Sequence, residues 1–189
     1  MGIIIHFSLF SCICLATDST EVAQRKCITE WADKQTEIVR ELSNRNDSKY
    51  IDEYFKVATG SDFRNRKAST RQWCAVFVTA AYKHCKIPIP VKGNLAAVRT
   101  WEAANQYVLD RTAPLIAGDI VTFKFGSHIG LVKDYNINPR VFWVDTYEGN
   151  TTDPNDRRPY KQKQQGAYQK RRLKLDVKKK IRIINSKKS

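Results

Sequence analysis

The sequence lacks the patterns that identify many binding and catalytic classes directly. It contains no P-loop, no glycine-rich dinucleotide fingerprint and no internal repeat. Only three of the 189 residues are His, and the Cys and His residues lack the paired short spacings of common zinc sites. We therefore expect neither a metal nor a cofactor, and we expect any chemistry to come from side chains.

The chain also lacks an apolar run long enough to span a bilayer. Residues 1–16, MGIIIHFSLFSCICLA, are free of charge but are too few for a transmembrane helix, and polar residues follow at once. This arrangement is typical of a secretory signal peptide, although no Lys or Arg precedes the apolar stretch. We expect cleavage after Ala16, a secreted or periplasmic protein and no transmembrane anchor. The alternative is a buried N-terminal strand or helix.

Acidic residues are nearly missing from the C-terminal part of the chain. Residues 157–189 hold 14 Lys or Arg and one acidic residue, whereas residues 1–156 are almost balanced in charge. A basic block of this kind favours an anionic partner, such as a wall polymer, a membrane surface or nucleic acid. The alternative is a solvated tail, which we expect for residues 185–189.

The length suits one domain, and the hydrophobic pattern changes period midway along the chain. Apolar residues recur at helical spacing in four segments: 20–43, 50–57, 73–84 and 94–106. Runs typical of strands then occupy residues 119–125, 128–134 and 140–148, with further candidates at 167–172 and 180–184. The order predicts an α+β domain in which N-terminal helices pack on an antiparallel sheet of about five strands. Trp143, midway along a predicted strand, is expected in the core.

Three cysteines remain after the expected cleavage, namely Cys27, Cys74 and Cys85, which is an odd number in an oxidising compartment. Cys27 and Cys85 could pair while Cys74 stays free, although sequence does not set connectivity. Cys74 follows a polar loop and begins a predicted apolar helix, where the helix dipole and Arg71 would stabilise a thiolate. Taken alone, Cys74 fits a buried structural thiol better, since free cysteine is usually buried.

Three further motifs follow Trp73-Cys74-Ala75 in a fixed order: Gly118-Asp119 before a strand, His128-Ile129-Gly130 opening the next, and Glu148-Gly149-Asn150 ending a third. Together the four motifs resemble the CHAP family of cysteine, histidine-dependent amidohydrolases and peptidases. The resemblance covers residues 71–151, and Ala117 stands where the family often has proline before the glycine.

The resemblance implies a papain-like fold and hydrolysis of an amide bond in bacterial peptidoglycan. It implies Cys74 as the nucleophile, His128 as the general base, Glu148 as the group that orients the imidazole, and Asn150 as a candidate fourth member. An imidazole suits the role of base because it titrates near neutral pH. Loops 61–72 and 86–93 are expected to flank the nucleophile and set specificity.

These observations divide the chain into four parts: a signal peptide over 1–16, an N-terminal helical part over 17–60, a CHAP-like catalytic core over 61–156, and a basic C-terminal segment over 157–189 with the last strands and tail. The expected partners are peptidoglycan and, through the basic segment, anionic wall polymers; nucleic acid is not expected. Two alternatives stay open. One is a papain-like deamidase or other cysteine hydrolase acting on protein, and the other is a polyanion-binding protein that uses the basic segment.

Overall fold

The computed structural model describes residues 19–41, 46, 48–65, 67, 71–134, 141–159 and 163–184. The predicted signal peptide and the predicted tail at 185–189 lie outside these residues. Within the described ranges no helix is both long and apolar enough to cross a membrane. The described residues form an α+β structure with four α-helices and one antiparallel sheet, as the sequence predicts.

The four α-helices are α1 (Ser19–Ile38), α2 (Lys49–Thr59), α3 (Cys74–His84) and α4 (Val98–Glu102), and two 3₁₀ helices span Asn105–Tyr107 and Lys174–Asp176. The helix predicted over 94–106 is present but shorter than predicted, because only five of its residues form α4. The carbonyl of Leu95 explains the difference. It accepts hydrogen bonds from Thr79 Oγ1 at 2.9 Å and Trp101 Nε1 at 3.1 Å, which hold it in a turn outside the helical ladder.

The sheet has six strands rather than about five: β1 (Arg40–Glu41), β2 (Ile120–Phe123), β3 (Ile129–Val132), β4 (Trp143–Thr152), β5 (Gln165–Leu173) and β6 (Val177–Ile181). Their order is β1-β5-β4-β3-β2-β6, and all pairs are antiparallel. The additional strand β1 has two residues and is too short to show alternation. It replaces the end of the first predicted helix, and Val39 O accepts from Ala167 N of β5 at 3.1 Å.

The basic C-terminal segment is part of this sheet. It supplies β5, which lies between β1 and β4, and β6, which forms the edge beside β2. Strand β4 begins later than predicted, at Trp143, and this side chain is 45% exposed rather than buried. Trp143 lies at the end of the β4–β5 ladder, opposite Leu173, whose side chain is also exposed.

Helix α3 is the centre of the core. Its residues from Cys74 to Tyr82 are all buried, and it packs against α1, α2, β3 and β4. A helix that is apolar on every side is expected to be enclosed by other elements. The N-terminus of α3, and with it Cys74, is therefore fixed relative to β3 and β4.

A buried charged cluster joins the N-terminal helix to the sheet. Asp119, in the turn before β2, accepts from Arg25 Nη1 of α1 at 3.2 Å and from Arg182 Nη2 at 2.7 Å. Arg25 also donates to Ala117 O at 2.7 Å. Paired in this way, Asp119 and Arg25 are both stable in the interior. The Gly118-Asp119 motif thus has a structural role.

The predicted pairing of Cys27 with Cys85 is confirmed. Their Cα atoms lie 5.9 Å apart, and the disulfide joins α1 to the residue that follows α3. Cys74 is free and buried.

Replacement of both Cys27 and Cys85 by Ser should lower the free energy of unfolding by about 4 kcal/mol, since the disulfide closes a long loop in the unfolded chain. Urea denaturation of oxidised and reduced protein measures this difference. The double variant is the control, because reductant should leave its stability unchanged. Equal stability of oxidised and reduced wild-type protein would contradict the prediction.

Candidate active site

Cys74 is the first residue of α3, and its side chain reaches the segment directly before β3 that carries His128. Its Sγ lies 3.7 Å from Ser127 O, and the residue is 4% exposed. Trp73, which precedes it, makes no side-chain cap to the helix. The first amides of α3 therefore lack a hydrogen bond from the N-cap side chain, and free amides at a helix N-terminus stabilise negative charge.

His128 lies directly before β3 and contacts both Cys74 and Glu148. Its Nε2 is 2.9 Å from Glu148 Oε2. Because Nε2 is used in this way, Nδ1 is the nitrogen that remains for the hydrogen bond with Cys74. The ring stacks on Phe123, with centroids 5.8 Å apart and an interplanar angle of 25°. The imidazole is thus held between the thiol and the carboxylate.

Glu148 is fully buried in β4, and both of its oxygens are hydrogen-bonded. Thr146 Oγ1 donates to Oε1 at 2.7 Å. Arg172, from β5, donates Nε to Oε1 at 2.8 Å and Nη2 to Oε2 at 2.5 Å. Thr146, Arg172 and His128 together hold the carboxylate in one orientation.

This network shifts the pKa of both partners. Burial lowers the pKa of His128, but its hydrogen bonds to Cys74 and Glu148 outweigh burial and raise the pKa to about 9. Burial raises the pKa of Glu148, but Arg172 and His128 outweigh burial and lower the pKa to about 2. At neutral pH His128 is therefore an imidazolium and Glu148 a carboxylate, and a neighbouring imidazolium favours the thiolate form of a cysteine.

The two shifts have opposite consequences for stability. Because folding raises the His128 pKa, its contribution is complete below about pH 6.5 and is lost as the pH rises through about 9. Because folding lowers the Glu148 pKa, its contribution is complete above about pH 4.5 and is lost as the pH falls through about 2.

Sequence reasoning missed Arg172. It lies in the basic segment, where it was interpreted only as one charge of a polyanion-binding block. The signal that could have found it is the alternation of β5, since Lys170 and Arg172 share one face of the strand. The register places them opposite Thr146 and Val144, on the same face as Glu148.

Two glycines of the motifs permit the close approach of the site elements. A Cβ at Gly149 would lie 2.5 Å from the ring of Trp73 and 2.6 Å from Phe77 Cβ, so β4 could not pack against α3. A Cβ at Gly130 would lie 2.9 Å from Glu148 Cγ. The glycines therefore bring Cys74, His128 and Glu148 together.

Asn150 lines a cavity that Cys74 and His128 also line, but it is not bonded to His128 in the described structure. Its Nδ2 donates to Gln72 Oε1 at 2.5 Å. The residue has φ 54°, in the left-handed region that Asn tolerates, at an irregularity in the β4–β5 register. The Glu148-Gly149-Asn150 motif thus lies inside β4, which continues to Thr152, and not at its end as predicted.

Arg71 does not act as expected beside the thiol. Its guanidinium forms an ion pair with Asp52 of α2 and lies 5.9 Å from the centroid of the Phe55 ring. Its charge is therefore neutralised by α2, and the stabilisation of a thiolate rests on His128 and the amides of α3.

Two cavities meet at Cys74, and we call them the β5 arm and the α4 arm of the cleft. The β5 arm, about 370 Å³, is lined by residues that include Asn150, Thr151, Thr152, Lys170 and Arg172. The α4 arm, about 510 Å³, is lined by residues that include Phe55, Phe63, Ala96, Ala97 and Val98. Gln72, Cys74 and Ser127 line both.

The predicted specificity loops are confirmed in part. Phe63 and Gln72 of loop 61–72 line the cleft, whereas the second wall comes from residues 94–99 and not from 86–93. A larger cavity of about 640 Å³ lies among α1, α2 and α3 near Cys27, and it contains none of the predicted site residues. Among the described residues, no group of three His, Cys, Asp or Glu side chains is arranged to hold a metal ion.

Glu148→Gln should lower the pKa of His128, because it removes the negative charge and one of the two partners that raise this pKa. Titration of the His128 imidazole by NMR measures the effect, with a midpoint of about 9 expected for wild-type protein. Glu53→Gln, on α2, is the matched control and should leave the midpoint in place. An unchanged midpoint in Glu148→Gln would contradict the role of Glu148.

Comparison of the chain with family models, curated proteins and solved structures finds no match. The function is therefore inferred from the geometry of the site and from the resemblance of the four sequence motifs to those of the CHAP family.

Proposed function

We propose that the protein is a secreted, papain-like cysteine amidase or endopeptidase that hydrolyses an amide bond in bacterial peptidoglycan. The observation that carries the proposal is the arrangement of Cys74, His128 and the buried Glu148. Cys74 and His128 line one cavity, and His128 Nε2 lies 2.9 Å from Glu148 Oε2. A nucleophile, a base in contact with it, and a group that orients the base are the three components of nucleophilic amide hydrolysis.

In the first half of the reaction, the Cys74 thiolate attacks the carbonyl carbon, and the electrons of the carbonyl double bond move to its oxygen. The amides at the start of α3 can donate hydrogen bonds to this oxyanion. The imidazolium of His128 then gives its proton to the departing nitrogen, and the carbon–nitrogen bond breaks. An amine leaves, and a thioester remains on Cys74.

In the second half, His128 is neutral and takes a proton from water, whose oxygen attacks the thioester carbon. The carbon–sulfur bond breaks, a carboxylic acid leaves, and the thiolate–imidazolium pair is restored. Glu148 keeps the imidazole in one orientation through both steps, while Arg172 keeps Glu148 ionised.

The shape of the cleft supports a polymeric substrate. Cavities extend from Cys74 in two directions, so a chain can enter on both sides of the scissile amide. A deamidase that attacks one side-chain amide performs the same chemistry with ammonia as the leaving group, but it needs only one arm. The resemblance to CHAP enzymes and the two arms together favour peptidoglycan over that alternative.

A basic groove at the edge of the sheet supports anionic wall polymers as further partners. It measures about 490 Å³ and is lined by residues that include Arg111, Lys124, Lys178, Lys179 and Lys180. Some of this charge is used within the fold, since Lys178 bonds Glu102 and Lys180 bonds two backbone carbonyls. We therefore assign the groove an accessory role in attraction to the wall.

Purified bacterial peptidoglycan should be digested by wild-type protein under reducing conditions, with the products identified by mass spectrometry. Cys74→Ala should lower the rate roughly 10³-fold or more, because the nucleophile is removed. His84→Ala, at the exposed far end of the same helix, is the matched control and should retain activity.

Absence of fragments from several wall types would contradict peptidoglycan hydrolysis. The deamidase alternative would then be supported if wild-type protein converted glutamine or asparagine side chains of a protein substrate to carboxylates and Cys74→Ala did not. Fragments that persist in Cys74→Ala would contradict the assignment of the nucleophile.

A further inference from the structure

The two arms of the cleft differ in chemical character. The α4 arm has an aromatic wall in which Phe55 and Phe63 stack with centroids 4.6 Å apart, followed by the small apolar residues Ala96 and Ala97. Asn94 and Arg99 also line the α4 arm. The β5 arm is lined mainly by hydroxyl, amide and cationic side chains, with Phe125 as its aromatic member. A substrate that fits both arms must therefore be asymmetric about its scissile amide.

The charges around Cys74 do not cancel in the β5 arm. Arg172 and the imidazolium of His128 both pair with the single carboxylate of Glu148. Among the described residues that line this arm, Lys170 is the remaining cation. Within the described part of the chain, no carboxylate lies within 4.0 Å of its Nζ, although Glu148 and Asp153 lie near enough to influence it.

Lys170 is held in place and still has donors to offer. Its Nζ donates to Thr152 O at 2.9 Å, and an ammonium group has three N–H donors. Burial and repulsion from Arg172 lower its pKa. An anion beside Nζ would compensate both effects, because it supplies an opposite charge and replaces lost water.

On the basis of the proposed function, we propose that the substrate carries a carboxylate beside its scissile amide, which binds Lys170 in the β5 arm, while an apolar group occupies the α4 arm. Lys170 is then a specificity-determining residue that distinguishes stem peptides with a free carboxylate from those in which this group is a carboxamide. Its hydroxyl neighbours Thr151 and Thr152 border the same position.

Binding of synthetic stem peptides to the Cys74→Ala protein tests this inference without turnover. Calorimetry compares two peptides that are identical except at one position, where one has a carboxylate and the other a carboxamide. The carboxylate peptide should bind roughly tenfold more tightly or better, as expected for a charge-assisted hydrogen bond. Lys170→Met in the same background should remove the difference, and Lys170→Arg should restore part of it.

Lys26→Gln is the control for net charge, since Lys26 is 72% exposed on α1, and this variant should keep the preference. Equal binding of the two peptides, a preference that survives Lys170→Met, or no binding of either peptide would overturn the inference. Digestion of peptidoglycan separates this outcome from the proposed function. Cleavage that depends on Cys74 without a carboxylate preference removes only the inference, whereas loss of that cleavage removes the function.

Discussion

The buried carboxylate of Glu148 is the constraint on which the rest of the site depends. A charge removed from water is stable only when hydrogen bonds and opposite charges replace its hydration. For Glu148 these come from Thr146 on β4, from His128 before β3 and from Arg172 on β5. The register of three strands therefore decides whether the carboxylate is satisfied, and the same register determines where the imidazole points.

The satisfied carboxylate gives the site an alternating order of charge. Guanidinium, carboxylate and imidazolium follow one another from Arg172 through Glu148 to His128, which lines the same cavity as Cys74. Each charge stabilises its neighbours, which is why the pKa of His128 rises while that of Glu148 falls. Helix α3 contributes the last element, because its buried surface fixes Cys74 at its N-terminus, where free backbone amides stabilise negative charge.

Much of the fold and part of the candidate site could be predicted from the sequence. Local signals were sufficient for α2, α3 and the approximate positions of the central strands. The Cys27–Cys85 pairing was one open possibility, because sequence alone does not set connectivity. The failures have tertiary causes. The helix predicted at 94–106 is shortened because Thr79 and Trp101 hold the Leu95 carbonyl, and Trp143 is exposed because it pairs with the exposed Leu173 at the end of the β4–β5 ladder. Arg172 and Lys170 reach the cleft only through the pairing of β5 with β4, which a basic run does not reveal.

The central claim is that Cys74 forms a covalent bond to the acyl part of the substrate. Its most direct test is an acid quench of wild-type protein during turnover of soluble peptidoglycan fragments, followed by mass spectrometry of the peptide that contains Cys74. We predict an added mass equal to the acyl fragment, attached to Cys74 as a thioester that hydroxylamine removes. Cleavage of the fragments with no covalent adduct, or with an adduct on another residue, would contradict the account.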